Sequence, residues 1–211
     1  MHVLVPFAAD RPKTRLDPVL SSAERSAFAS AMLCDVLEAI FAAGHEPVVL
    51  STAPPEDPTD KLQTVLSDAR TIVDDRPLTD AVNARLDEVP IAVVMSDLPL
   101  VTPTVLRRFL EVDGDVAIAP GRGGGTNALV VRDADFSVDY HGTSYLDHLR
   151  IAQGIGASVR EFDSHRLSTD VDEPADLVEV LSLSDGLARA WLERAGFELD
   201  ATDGRVGVRR E

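Results

Sequence analysis

Short runs of consecutive apolar residues alternate along the chain with longer stretches in which apolar positions recur every three or four residues. The runs at residues 2–6, 47–50, 91–95 and 128–131 predict buried strands; 115–119 is again extended, 158–162 reads as a further strand, and 71–73 as a weaker one. Unbroken apolar runs, rather than strict apolar–polar alternation, belong to strands covered on both faces. Between them, Ser21 and Glu24 have the spacing of a capping box for a helix running to about Ala43, with Gly44 as its stop. Further helices are expected over 79–86, from Thr102 as N-cap with Pro103 in the first turn, from Ser144, over 175–181 and over 184–195. The acidic, proline-rich segment 53–60 reads as a surface loop. The pattern predicts a single domain over residues 1–211, of α/β class: a three-layer α/β/α sandwich around a mostly parallel sheet.

That architecture directs attention to particular segments, because ligands in such folds sit beyond the carboxyl ends of the strands. The segments are 7–15, 96–99, 122–127 and 169–172. The first carries Arg11, Lys13 and Arg15, a cationic turn that would bind a triphosphate and offset charge on a leaving pyrophosphate, or would simply be solvated. It is not a P-loop, since the glycine run and the Lys-Ser/Thr ending are missing. Asp97 follows the clearest strand, a costly place for a carboxylate unless a cation pairs with it. Asp170 and Asp172 flank Val171, so in an extended segment only one of them faces a given ion. Asp172 is also placed to cap the helix that Pro174 opens, a role compatible with metal binding if one oxygen caps while the other meets the ion. The run Gly123-Gly124-Gly125 before Thr126 and Asn127 would let backbone N–H groups approach a phosphate or carboxylate, with Arg122 alongside, or would be a plain turn. His141 and His148 lie near Ser144, but no nucleophile elbow accompanies them and no histidine pair has metal-ligand spacing.

Charge narrows the partners. The 36 acidic and 20 basic residues give a formal net charge of −16, which argues against a nucleic-acid ligand and requires that anionic substrates be caught by a few local cations. Such acidity suits a cytoplasm rich in salt, where repulsion is screened, so the fold is expected to be more stable in molar KCl than in dilute buffer. No stretch approaches the roughly 18 apolar residues of a membrane span. The opening Met1-His2-Val3-Leu4-Val5-Pro6 lacks the basic region and cleavage site of an export signal, and a cytoplasmic location is expected. The one cysteine, Cys34, sits in an apolar helical context and reads as a small buried hydrophobe.

At these same segments the chain resembles the 2-phospho-L-lactate guanylyltransferase family of deazaflavin coenzyme F(420) biosynthesis. The matching pieces are Val5-Pro6-Phe7, Pro12-Lys13-Thr14-Arg15-Leu16, Pro18-Val19-Leu20-Ser21, Ser96-Asp97-Leu98-Pro99, Gly125-Thr126-Asn127-Ala128-Leu129, Ser144-Tyr145 with His148, and Asp170-Val171-Asp172-Glu173-Pro174-Ala175-Asp176-Leu177. The resemblance implies a GT-A-like nucleotidyltransferase fold, a homodimer, and Mg2+ held by Asp97 and Asp172. It implies Arg11, Lys13, Thr14, Arg15, Thr79 and Asp97 on the nucleotide, with Lys13, Arg15 and Asp97 catalytic. Thr126, Asn127, His141 and Ser144 would hold a small phospho-acid. The chain departs from the family at Leu78-Thr79, where Leu-Asn is usual, and at Tyr140-His141, where Phe-Gly is usual.

The reaction so implied joins GTP and 2-phospholactate and releases pyrophosphate. Its acceptor is already a phosphate with a second pKa of about 6, largely dianionic at neutral pH, and needs no general base. Phosphoenolpyruvate is an alternative acceptor. Another cytidylyl- or guanylyltransferase, acting on a sugar phosphate or molybdenum cofactor, is a rival reading, and a non-catalytic GTP-binding regulator is a second.

Overall fold

The computed structural model describes residues 1–55, 60–87, 89–202, 204 and 206–211. A seven-stranded sheet is built from β1 (His2–Phe7), β2 (Glu46–Ser51), β3 (Arg70–Val73), β4 (Ile91–Val94), β5 (Val116–Pro120), β6 (Thr126–Val131) and β7 (Val159–Glu161), in the order β3-β2-β1-β4-β6-β5-β7. Only β6 runs antiparallel to its neighbours within this sheet. The expected three-layer, mostly parallel architecture is therefore present. β6 reverses because the short turn 121–125 returns the chain directly beside β5, whereas parallel neighbours need a crossover.

Alternate strand residues feed opposite faces of the sheet. Val3, Val5, Val49, Ala92, Val94, Ala117 and Val130 meet α1 (Ser22–Ala42), α2 (Asp60–Asp68), α4 (Pro103–Leu110) and the short α6 (His165–Ser168). Leu4, Val48, Leu50, Val93, Ile118 and Leu129 meet α3 (Leu78–Asn83) and α5 (Ser144–Ile155) on the other face. A third apolar cluster joins Leu16, Leu20, Phe28 and Met32 to Val171, α7 (Leu177–Leu183), α8 (Leu187–Arg194) and Phe197 of the hairpin β8 (Phe197–Asp200) and β9 (Gly207–Arg210).

The predicted capping box exists: Glu24 N donates to Ser21 Oγ and Ser21 N donates to Glu24 Oε2 at 2.8 Å. Gly44 ends the helix at φ 89°. Thr102 caps α4 as expected. Two readings are corrected, and two segments without an expected element gain one. The segment 60–68 forms α2, of which the sequence reading took only residue 60, as loop; within that loop, residues 56–59 lie outside the described set. The tail after Phe197, unassigned from sequence, pairs as β8 and β9. The last helix begins at Leu187 rather than Ser184, because its first N–H groups are capped from another element: Asp35 of α1 accepts from Leu187 N at 2.6 Å and Ala188 N at 2.9 Å. Finally, Asp172 is not the cap before Pro174. Glu173 is, reciprocated by Asp176, whose Oδ2 accepts from Asp172 N and Glu173 N, and a single 3-10 turn over Pro174–Asp176 leads into α7.

Candidate active site

The site forms where loops leave the carboxyl ends of β1 and β4 and meet the segment before α7. Buried Leu16 and Val171 share the third apolar cluster, which draws their charged neighbours together. Val171 N also donates to Asp97 O at 3.1 Å, so the loop after β4 is tied to residues 170–172 by the backbone. The turn carrying the cations is sharp: Arg11 and Lys13 both sit in the left-handed region, φ 47° and 52°. For non-glycine residues that conformation costs roughly 1–2 kcal/mol each and persists only where the surroundings impose it.

Lys13 is so imposed. Its Nζ lies 2.5 Å from Asp97 Oδ2 and 2.8 Å from Asp172 Oδ1, and Arg15 reaches Asp172 Oδ2 at 3.2 Å. Burial pulls the Lys13 ammonium towards neutrality, but Asp97 and then Asp172 outweigh it, and its pKa ends above the ordinary 10.5. Lys13 is a fixed cation. The other oxygen of Asp97, Oδ1, is buried and has no hydrogen-bond partner among the described residues. Such an atom is expensive to leave unsatisfied. Asp170 stands close by: burial raises its pKa, the bond from Asn127 opposes that, and the charges of Asp97 and Asp172 raise it further.

This cluster closes one end of a cleft of about 430 Å3 lined also by Pro12, Thr14, Ser96, Thr52, Leu78 and Asp74 with Arg76. Asp74 and Arg76 were not singled out from sequence, although they directly follow the predicted strand 71–73, and the strand-end rule applied there would have found them. The Asp74 carboxylate is gripped by Arg76 and Arg85, at 2.6 and 2.7 Å. The Arg76 bond holds it well below the usual carboxylate range.

A second, neutral group of candidate residues lies at the start of β6 and α5, and none of them lines that cleft. Thr126 N donates to Ser144 Oγ at 3.0 Å, and Thr126 Oγ1 lies 2.8 Å from His148 Nδ1. All three side chains are buried. Asn127 links the two parts, its Nδ2 donating to Asp170 Oδ1 at 3.0 Å and to Leu167 O at 2.9 Å. It acts as a strut, and it forces a glycine at 121, where a Cβ would come within 2.5 Å of Asn127 Oδ1.

Several candidate residues point elsewhere. Arg11 is exposed, with no ion pair among the described residues. Thr79 does not line the cleft; its hydroxyl accepts from Tyr140 N at 3.0 Å, while Leu78 and Ala81 face the cavity. The backbone N–H of His141 is engaged by Asp139 Oδ1 at 3.0 Å. Arg122 pairs with Asp176 at 3.1 Å and Glu179 at 3.6 Å. In the glycine turn, the N–H groups of Gly121 and Gly124 bond within the turn itself.

Comparison with known proteins bears on what this geometry serves. Residues 1–211 match a family model described as "Guanylyl transferase CofC like". A relative from Haloterrigena turkmenica named 2-phospho-L-lactate guanylyltransferase is 55% identical over 224 residues, covering 100% of this chain and 97% of its own. One of the same name from Natrialba magadii is 56% identical over 236 residues, covering 100% and 99%. Among solved structures, a candidate nucleotide-diphospho-sugar transferase from Desulfovibrio desulfuricans G20 shares the fold at a TM-score of 0.74, with 16% identity over 92% of this chain and 94% of that one. A Mycobacterium tuberculosis H37Rv protein solved in complex with manganese has a TM-score of 0.51 and 19% identity, covering 85% and 97%. The chain belongs to the CofC-like guanylyl transferase family.

Proposed function

We propose that this enzyme transfers the guanylyl group of GTP to the phosphate of 2-phospho-L-lactate, giving lactyl-2-diphospho-5'-guanosine and pyrophosphate. The single observation that carries the reading is the clamp of Lys13 between Asp97 and Asp172 at the end of an open cleft. An acceptor phosphate oxygen attacks the α-phosphorus of GTP, the bond from that phosphorus to the bridging oxygen breaks, and pyrophosphate leaves with the electron pair. The difficulty is repulsion between two anions, not proton removal, and the residues present suit that task.

Lys13 and Arg15 exchange their carboxylate partners for the nucleotide phosphates and stabilise charge on the departing pyrophosphate. Asp97 and Asp172 would hold a divalent ion, Mg2+ in this reading, which when bound supplies positive charge across the triphosphate. The two carboxylates and the partnerless Asp97 Oδ1 fit such an ion. Among the described residues no preformed cage of three or more such ligands exists, and Mg2+ commonly completes its shell with substrate phosphates and water. Thr126 and Ser144 hold the phospho-acid beside the N-terminal end of α5, where the helix dipole favours an anion, although the N–H groups of Tyr145, Leu146 and Asp147 already bond to Gly124 O and Thr143 O. The enzyme is proposed to act as a homodimer in the cytoplasm; among the described residues no helix is long and apolar enough to cross a membrane.

Incubating the enzyme and Mg2+ with GTP and each candidate acid in turn, and weighing the products by mass spectrometry, tests this directly. The expected product appears with 2-phospholactate at a higher kcat/KM than with phosphoenolpyruvate. Pyrophosphate release with CTP, or with a sugar phosphate acceptor, in preference to GTP and 2-phospholactate would refute the reading. GTP binding with no pyrophosphate release would point to a regulator.

A further inference from the structure

The two hydroxyls assigned to the phospho-acid have to donate, because a phosphate dianion offers only acceptors. Left to itself a threonine hydroxyl rotates and presents lone pairs as readily as its hydrogen. Beneath Thr126 the structure holds a group that decides the matter. His148, one turn along α5 from Ser144, is wholly buried between the rings of Phe136 and Tyr140, the latter packed edge-on with centroids 5.2 Å apart. Its Nε2 lies 3.0 Å from Asp139 N, a backbone group that can only donate. Nε2 therefore accepts, and a neutral ring carries its one proton on Nδ1.

Nδ1 is 2.8 Å from Thr126 Oγ1. The Thr126 oxygen thus receives the imidazole proton, and its own hydrogen must point to another acceptor. Ser144 Oγ is fixed in the same sense, since it accepts from Thr126 N. Burial pushes the His148 pKa down to about 4, against the opposing charges of Asp139 and Asp147, so the ring stays neutral at working pH.

Resting on the acceptor reading above, we propose that His148 is a positioning residue: held in the Nδ1–H form by the Asp139 backbone, it locks the Thr126 hydroxyl as a donor towards the acceptor's phosphate. It touches neither substrate. Nothing in its role concerns the nucleotide end of the cleft.

Two measurements test this. Long-range 15N–1H NMR of uniformly labelled wild-type protein at neutral pH should show the His148 ring protonated on Nδ1 alone; protonation on Nε2 overturns the proposal without any variant. In steady-state kinetics, His148→Phe keeps the ring's bulk and removes both nitrogens. It should raise the KM for 2-phospholactate roughly tenfold, the scale of one hydrogen bond to a charged group, with the KM for GTP changed less than twofold. His148→Asn, which restores a donor towards Thr126, should recover most of that loss. In a Thr126→Val background, His148→Phe should change the acceptor KM by less than twofold. An unchanged acceptor KM in the folded His148→Phe protein, an equal rise in the KM for GTP, or effects that multiply in the double variant would each overturn it. Absence of turnover by the wild type with GTP and 2-phospholactate would instead overturn the functional reading on which it rests.

Discussion

At the Lys13 end, ionised side chains 84 and 159 positions apart in sequence meet on loops, whereas at the Thr126 end, groups 22 or fewer positions apart meet through neutral hydrogen bonds among a strand, a helix and the loop residue Asp139. The first assembly depends on Coulomb attraction, and in the proposed reaction a bound nucleotide would compete for its partners. The second is fixed by buried backbone and aromatic packing before any ligand arrives. An ion cluster at a cleft can exchange partners along a reaction; a buried neutral network can only pre-orient. Damage to the two ends should therefore appear in different kinetic parameters, turnover at one and acceptor KM at the other. Salt should separate them too, since partly exposed ion pairs are screened at high ionic strength and neutral hydrogen bonds are not.

The largest effect is expected from Asp97→Asn. It removes a negative charge from the carboxylate whose Oδ2 holds Lys13 and whose Oδ1 has no partner. Pyrophosphate release should fall by more than about a hundredfold, on the scale of losing a main charge-stabilising contact, with an unchanged circular dichroism spectrum. A variant retaining most of the wild-type rate would remove the basis for treating this end as the reacting one.

Next in size is Lys13→Ala, with a loss of roughly 3 kcal/mol in kcat/KM for GTP, about a hundredfold, and an acceptor KM within twofold of wild type. Because its pKa is raised above 10.5, the ammonium's contribution is complete below that value and disappears only above the raised one. The pH–rate profile should accordingly show no lysine deprotonation between pH 7 and 9. An effect confined to the acceptor KM would reverse the assignment of the two ends.

The two ends also differed in how far they could be read from sequence. Asp97 is legible because it follows the clearest apolar strand run, and Lys13 and Arg15 because cations are scarce in an acidic chain and these lie in the turn after β1. What pairs with them was not legible, since Leu16 and Val171 draw the segments together only through the third apolar cluster. Thr126 and Ser144 follow from the family resemblance, whereas the sequence offers His148 only as a neighbour of Ser144, because nothing in it brings Asp139 N to the ring. The strand–helix alternation was readable because buried parallel strands are continuous apolar runs. The helix α2 was missed because its apolar positions, Leu62, Val65 and Leu66, stand in a polar background. The β8–β9 hairpin escaped because it is stabilised by partners distant in sequence, with Arg210 bonded to Glu24 and to Val19 O and stacked over Phe197.

At the neutral end, Thr126→Val should raise the acceptor KM roughly tenfold while kcat and the KM for GTP stay within about threefold. Thr126→Ser keeps the hydroxyl and should recover most of the loss. The discriminating measurement is the same pair of KM values determined in dilute and in molar KCl. The ratio of variant to wild type should be insensitive to salt here, whereas the loss of kcat/KM for GTP in Lys13→Ala should shrink as salt rises. Equal salt dependence at both ends would dissolve the distinction.

The smallest effect calibrates the others, because it lies away from both ends and should leave kinetics untouched. Glu24 closes the α1 capping box and binds Arg210 of β9. The Arg210 bond first, then the bonds from the backbone and hydroxyl of Ser21, lower its pKa to about 2 from 4.5. A depressed carboxylate stabilises the fold above its ordinary pKa and loses that contribution as pH falls towards the depressed value. Glu24→Gln keeps an acceptor for the capping box but removes the charge that binds Arg210, so it should lower the melting temperature at pH 7 by a few degrees, on the scale of up to about 1 kcal/mol for a surface ion pair. The gap between variant and wild type should close as pH drops from about 4.5 towards 2. A gap that widened on acidification would mean that the carboxylate is not held in its charged form by these partners, and a changed KM for either substrate would mean that the hairpin is coupled to the site.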